Sequence, residues 1–128
     1  AIYNLGAVYD RQGKTSEAIK QLERIIPANA NQPNLLFELG LLYYRVNRKD
    51  DAFAALQRAV LLSPQFANAR WYLSLIYEER KDFNSAIEQL EKILETNKGN
   101  RVVLDKIVQL KAGRSRIPPE RVIDQQPL

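Results

Sequence analysis

Cysteine, histidine and methionine are all absent from the 128 residues of this chain. The missing cysteines exclude disulfides, thiolate metal sites and cysteine nucleophiles together. The missing histidines remove the commonest general base and the commonest metal ligand. A nucleophilic serine is thereby left without its usual partner, and no Ser–Lys arrangement suggests a substitute. Glycine-rich phosphate loops and metal-spaced clusters are lacking as well. The acidic pairs Asp50/Asp51 and Glu78/Glu79 are adjacent on predicted helices, so their members point about 100° apart and read as caps and solvated faces. Catalysis, cofactors and bound metals are therefore not expected. No apolar run approaches the roughly 18 residues of a membrane span, and no charged-then-apolar leader opens the chain, so direct membrane contact is not expected either. Methionine is missing even at residue 1, which leads us to expect a piece of a longer protein and leaves its compartment open, cytoplasmic or the soluble part of a membrane-bound protein.

What the chain does contain is 45% hydrophobic and 27% charged residues, a balance suited to one soluble globular unit with a substantial core. The formal charge of +4 is unevenly placed. Residues 1–97 hold twelve basic and twelve acidic side chains, whereas residues 98–128 hold seven basic against three acidic. A nucleic-acid binder more often carries a basic stripe along its working face, and the body of this chain carries none. Nucleic acid is accordingly not an expected partner, although weak binding through the basic C-terminal segment remains a third reading.

The strongest signal is an internal period. Leu5, Leu39 and Leu73 recur every 34 residues, as do Tyr9, Tyr43 and Tyr77. Gly6, Gly40 and Ser74 keep the same spacing, and so do Ala18, Ala52, Ala86 and Leu22, Leu56, Leu90. Within each unit the Leu, small residue and Tyr gather on one face of a first helix, and Ala18, Leu22 and Ile25 gather on one face of a second. The small residue lets the two helices approach closely. Punctuation agrees. Pro33 suits a first helical turn, Gly13 and Asn47 suit the turns within pairs, and Asp50 and Asp82 are placed as N-caps. The pattern predicts helices near 1–12, 15–26, 33–46, 50–62, 67–80, 83–96 and 101–112, with Pro27 shortening or bending the second and Gly113 closing the last.

The stretches YNLGAVYDRQGKTSEAI, LFELGLLYYRVNRKDDAF and WYLSLIYEERKDFNSAI resemble the tetratricopeptide repeat family over roughly residues 1–112. That resemblance implies an all-α, right-handed alpha-alpha superhelix with repeats at 1–32, 33–66 and 67–100, a capping helix at 101–112 and a C-terminal tail at 113–128 that holds at most one short helix. The sequence departs from the family pattern at Ser74 and Arg70, at Ile25 and Ile93 in place of alanine, and in the fourth unit at Val108 and Lys111, consistent with a solvating cap. The NARWYLSLIYE stretch is similar to bacterial repeats appended to larger proteins.

In this family the first helix of each repeat lines a concave groove. Carried onto this sequence, the groove positions are Tyr3, Asn34, Phe37, Leu41, Tyr44, Asn68, Trp71, Leu75 and Glu78, together with Ala7 and Asp10. Leu41 and Leu75 serve equally well as packing between neighbouring first helices. Phe37, Trp71 and Tyr3 suit anchors for a ligand, because aromatic side chains dominate binding surfaces. The positions at which chaperone-binding relatives hold a C-terminal carboxylate carry Tyr3, Ala7, Glu38, Asn68 and Tyr72, so a carboxylate clamp is not expected.

The expected function is a protein-interaction module that takes an apolar or aromatic peptide in this groove. The alternative is a structural spacer or self-assembly unit of a larger bacterial protein. The tail, RSRIPPERVIDQQPL, carries Ile117, Val122, Ile123 and Leu128 amid three prolines. Two places are expected to receive it: the exposed side of the capping helix around Val103, Ile107 and Leu110, or the groove of a neighbouring molecule, which would make the tail a route to self-association.

Overall fold

The computed structural model describes residues 13–29 and 31–115. Among them the fold is all-α: α1 (Gly13–Ile25), α2 (Pro33–Arg45), α3 (Lys49–Leu62), α4 (Ala67–Glu79), α5 (Phe83–Leu94) and α6 (Arg101–Ser115), with a single 3-10 turn at Ile26–Asn29. The helix expected at 1–12 and the short helix expected in the tail lie outside the described residues. The described residues fall into two compact units that divide within α4, between Tyr72 and Leu73.

Helix boundaries follow local chemistry. Pro27 has no N–H with which to continue α1, and the chain tightens into the 3-10 turn beginning at Ile26. Pro33 opens α2 behind an extended Gln32. The pairs α2–α3 and α4–α5 are joined by the same turn, with positive φ at Asn47 (65°) and, 34 residues on, at Lys81 (62°). In each, two backbone N–H groups reach back to helix carbonyls, Arg48 to Tyr43 at 2.8 Å and Asn47 to Tyr44 at 3.1 Å, then Asp82 to Tyr77 and Lys81 to Glu78, both at 2.9 Å. This is the Schellman pattern, which satisfies carbonyls that a helix end leaves open. Asparagine tolerates the left-handed conformation readily; lysine adopts it because the turn around it is already specified.

The same turn corrects the expected caps. Asp82 does cap α5, its carboxylate accepting from the Ser85 N–H at 3.2 Å. Asp50 does not cap α3, which starts one residue earlier behind Arg48. Arg48 occupies the place of Asp82 and has no acceptor to offer, so the acid moves inside the helix: Asp51 pairs with Arg48 at 2.9 Å, and Asp50 sits in the first turn, where negative charge suits the helix dipole. Asn100 caps α6 by accepting from the Val103 N–H at 3.2 Å. Two glycines are also reassigned. Gly13 opens α1 instead of lying in the turn before it, and Gly113 lies inside α6 instead of ending it. Past Gly113, the Arg114 guanidinium donates to Asn84 Oδ1 at 2.7 Å and ties the last turn of α6 to the start of α5.

In the first unit, α2 packs against α1 and α3. Ile19 and Leu22 of α1, Leu36, Leu39, Leu42 and Tyr43 of α2, and Ala52, Ala55, Leu56 and Ala59 of α3 form its core. The approach of α2 to α3 depends on Gly40, where an added Cβ would stand 2.8 Å from Cγ of the fully buried Leu56. Ile25 does not join this core and is 43% exposed, since the helix turns into the 3-10 segment at the next residue. In the second unit, α5 packs on α6, and Ala86, Ile87, Leu90 and Ile93 are buried together with Val103, Ile107 and Leu110. The last three were expected on the exposed side of the capping helix. They are instead its buried stripe, spaced as one helix face requires, and the exposed apolar side chains of α6 are Val102 and Val108.

Candidate functional site: an aromatic ladder on the first unit

Positions 34, 37, 41 and 44 recur at spacings of three and four residues, so they share one face of α2, turned away from Leu39, Gly40 and Tyr43. That face is not absorbed into the core. Asn34 is exposed, while Phe37, Leu41 and Tyr44 are partly exposed. On α4, Asn68 is exposed and Trp71 partly so. Tyr3, Ala7 and Asp10 lie outside the described residues.

Four rings form a continuous ladder. Phe66 and Phe37 lie with centroids 4.9 Å apart and tilted by 44°. Phe37 and Tyr72 follow at 6.1 Å, then Tyr72 and Tyr44 at 5.6 Å in an edge-to-face arrangement. Such offsets match the attraction between ring edges and ring faces. All four rings keep part of their surface exposed. The Lys49 ammonium stands 4.3 Å from the Tyr44 ring centroid and places a cation at that end of the ladder.

Local structure fixes these rings. Tyr72 projects from the first half of α4. Phe66 precedes that helix in a turn held by its own N–H to the Ser63 carbonyl at 3.0 Å and by the Arg70 N–H to the Phe66 carbonyl at 3.1 Å. The Arg70 side chain closes the same turn, its Nε donating to the Pro64 carbonyl at 2.7 Å, which gives a role to an arginine where the repeat pattern has a bulky apolar residue.

Phe37 and Tyr44 are thus brought together, through Tyr72. Leu41 on α2 and Trp71 on α4 are each partly exposed. Leu75 and Glu78 belong to the second unit. There Leu75 is partly exposed, and Glu78 Oε1 is 2.8 Å from the Lys106 ammonium. Two ladder members were not among the expected groove residues. Tyr72 appeared only as a position unfit for a carboxylate clamp. Phe66 precedes its helix and falls in no repeating column, so periodicity gave no signal for it. Glu38, a second clamp position, is a partly exposed acid on α2.

The Tyr43 phenol is pushed up to about 12 by burial and by its hydrogen bond to Glu23, so it stays protonated and serves as a donor within the fold. Among the described residues no group of three or more acidic side chains converges as a metal site, and no helix is long and apolar enough to cross a membrane.

Comparisons with known proteins agree with the repeat. A tetratricopeptide repeat model matches residues 37–101, and a second model of the same description matches residues 1–26. Two crystal structures of MamA are similar at 26% identity and a TM-score of 0.75, covering 89% of this chain and 67% and 62% of theirs. The first tetratricopeptide domain of Spaghetti (RPAP3), bound to the HSP90 peptide SRMEEVD, is similar at 20% identity and a TM-score of 0.75, covering 89% of this chain and 90% of that one. The second such domain of human RPAP3, in complex with the HSP70 peptide SGPTIEEVD, is similar at 20% identity and a TM-score of 0.70, covering 86% and 92%. No curated protein matches significantly.

Proposed function

Since this chain belongs to the tetratricopeptide repeat family, with a fold of the tetratricopeptide solenoid class, we propose that it is a protein-interaction module whose first unit binds an extended, apolar or aromatic peptide segment. The observation that carries this reading is the partly exposed ladder from Phe66 through Phe37 and Tyr72 to Tyr44. Rings gathered only for stability would be covered by the core, as Tyr43 is. Rings held in fixed positions with open faces lose little freedom when a ligand arrives, and aromatic residues are favoured anchors for that reason. Asn34 and Asn68 add amides that both donate and accept, which suits an extended peptide backbone. Leu41 and Trp71 widen the apolar surface along the same helices.

The bound peptides of the RPAP3 domains end in acidic residues. The counterparts here of the clamp that would grip such an end include Glu38 and the ring of Tyr72, so a different ligand chemistry is proposed for this chain. Selection from a random peptide library against the wild type and against Tyr72→Ala tests the reading. Apolar or aromatic peptides should be enriched by the wild type and lost with the variant at unchanged helicity. Enrichment that ignores Tyr72, Phe37 and Tyr44 alike would overturn it.

A further inference from the structure

The ladder and the tail have matching chemistry. Residues 116–128 follow α6, and within them stands Ile117-Pro118-Pro119-Glu120, the one place in the chain where two prolines are consecutive. A residue before proline is pushed towards extended backbone, and proline fixes its own φ near −65°, so this short stretch favours the polyproline II form before any binding. In that form the chain advances about 3.1 Å per residue, so residues two apart are separated by about 6 Å. The ring steps from Phe37 to Tyr72 and from Tyr72 to Tyr44 are 6.1 and 5.6 Å. Flat apolar pyrrolidine rings pack on aromatic faces, and polyproline II makes no internal hydrogen bonds, so its carbonyls remain acceptors for amides such as those of Asn34 and Asn68. Charge sets the direction. Glu120 follows the prolines immediately, and Lys49 places a cation 4.3 Å from the Tyr44 ring, while Arg70 at the Phe66 end is bound to the Pro64 carbonyl.

We infer that the ladder of one copy of this chain receives the Ile117-Pro118-Pro119-Glu120 segment of a second copy, with Ile117 over Tyr72, Pro119 over Tyr44 and Glu120 facing Lys49. This rests on the reading of the first unit as a peptide-binding surface and names its occupant. The self-association is of moderate strength, because the contact area of four residues is small.

The test uses the full chain. Sedimentation velocity over a wide concentration range should reveal a dimer that grows with concentration, and a fluorescent peptide with the sequence of residues 114–128 should bind saturably. Pro118→Ala with Pro119→Ala should weaken self-association by about tenfold or more, as loss of a central anchor does. Lys49→Glu should weaken it as well, and Lys49→Glu combined with Glu120→Lys should restore it, a reversal that general misfolding cannot mimic. A chain that stays monomeric and leaves the peptide unbound overturns the inference. So does a dimer indifferent to the proline pair. A monomer in which the peptide binds only the proline variant would place the segment on its own chain and overturn the second-copy occupant. Library peptides that still require Tyr72, in a chain that ignores its own tail, would leave the proposed function standing while this inference falls.

Discussion

The Tyr43 phenol of α2 donates its hydrogen bond to the Glu23 carboxylate of α1. The Arg48 guanidinium, from the turn that leads into α3, lies 4.5 Å over the centre of the same ring and pairs with Asp51. One tyrosine of the repeating column therefore links three successive elements, and the residue is 8% exposed. The repeat explains the ring; the acid that receives its hydroxyl is particular to this unit.

Removing that hydroxyl should matter in a pH-dependent way. Burial first, then the Glu23 bond, raise the phenol from 10.0 to about 12, so the folded state favours the neutral form. A raised folded-state pKa means that the contribution is complete below pH 10 and is lost as the pH climbs towards 12. Tyr43→Phe should cost about 1 kcal/mol at pH 8, the net worth of one hydrogen bond. The gap between wild type and variant should close in urea melts repeated at increasing alkalinity. A gap that stays constant to the top of that range would detach the hydroxyl from stability.

Gly40→Val should destabilise the first unit by about 1–3 kcal/mol through overpacking. Its Cβ alone would meet Leu56 Cγ at 2.8 Å and Cδ2 at 2.9 Å, and Leu56 is fully buried. The modest gain in helix propensity over glycine is smaller than that clash. Gly99→Ala, which meets nothing within 4 Å, is the matched control and should melt within experimental error of the wild type. Thermal melts of the two variants, side by side, check this.

The two acids expected as caps should now separate. Asp82→Ala removes the acceptor of the Ser85 N–H and should cost about 1 kcal/mol. Asp50→Ala removes a first-turn charge and leaves no cap unfilled, so it should cost less than Asp82→Ala, with its effect fading at high salt. Chemical denaturation at low and high ionic strength distinguishes a cap from a dipole contact.

These contrasts mark what was legible in the sequence. The 34-residue columns placed Leu39, Gly40, Leu56 and Leu73 in the core, because burial at helical spacing leaves a periodic trace. Asn47 was readable as a turn, whereas Lys81 was not, since nothing about lysine announces a left-handed backbone. Asp50 misled because an aspartate near a helix start suits both the cap and the first turn, and only the turn geometry at Arg48 chooses between them. Val103, Ile107 and Leu110 were read as one apolar stripe but placed on the open side of the capping helix as a seat for the tail, since a pattern identifies a face without naming what covers it. In the candidate site, Phe37 and Tyr44 came from family positions. Phe66 and Tyr72 required coordinates, because their neighbours lie about thirty residues away in the sequence.

Glu78 supplies the final test, because the groove pattern gives it to a ligand while the fold gives it to Lys106. The pair is 2.8 Å long, with side chains 16% exposed for the lysine and 32% for the glutamate, so water screens it only in part. A ligand contact would leave stability untouched on mutation and weaken peptide binding. A strut should do the reverse. Glu78→Gln should lower the melting temperature by an amount equivalent to about 1 kcal/mol, because it leaves the Lys106 ammonium half-buried without its counter-charge. Combining it with Lys106→Met should recover much of that loss, since the methionine stem packs where the lysine stem did and no charge remains to be solvated. A double-mutant cycle on thermal stability measures the coupling, which we expect to be between about 0.5 and 1.5 kcal/mol. Peptide binding to the first unit, measured on the same four proteins, should not change. Zero coupling together with weakened binding would return Glu78 to the ligand surface.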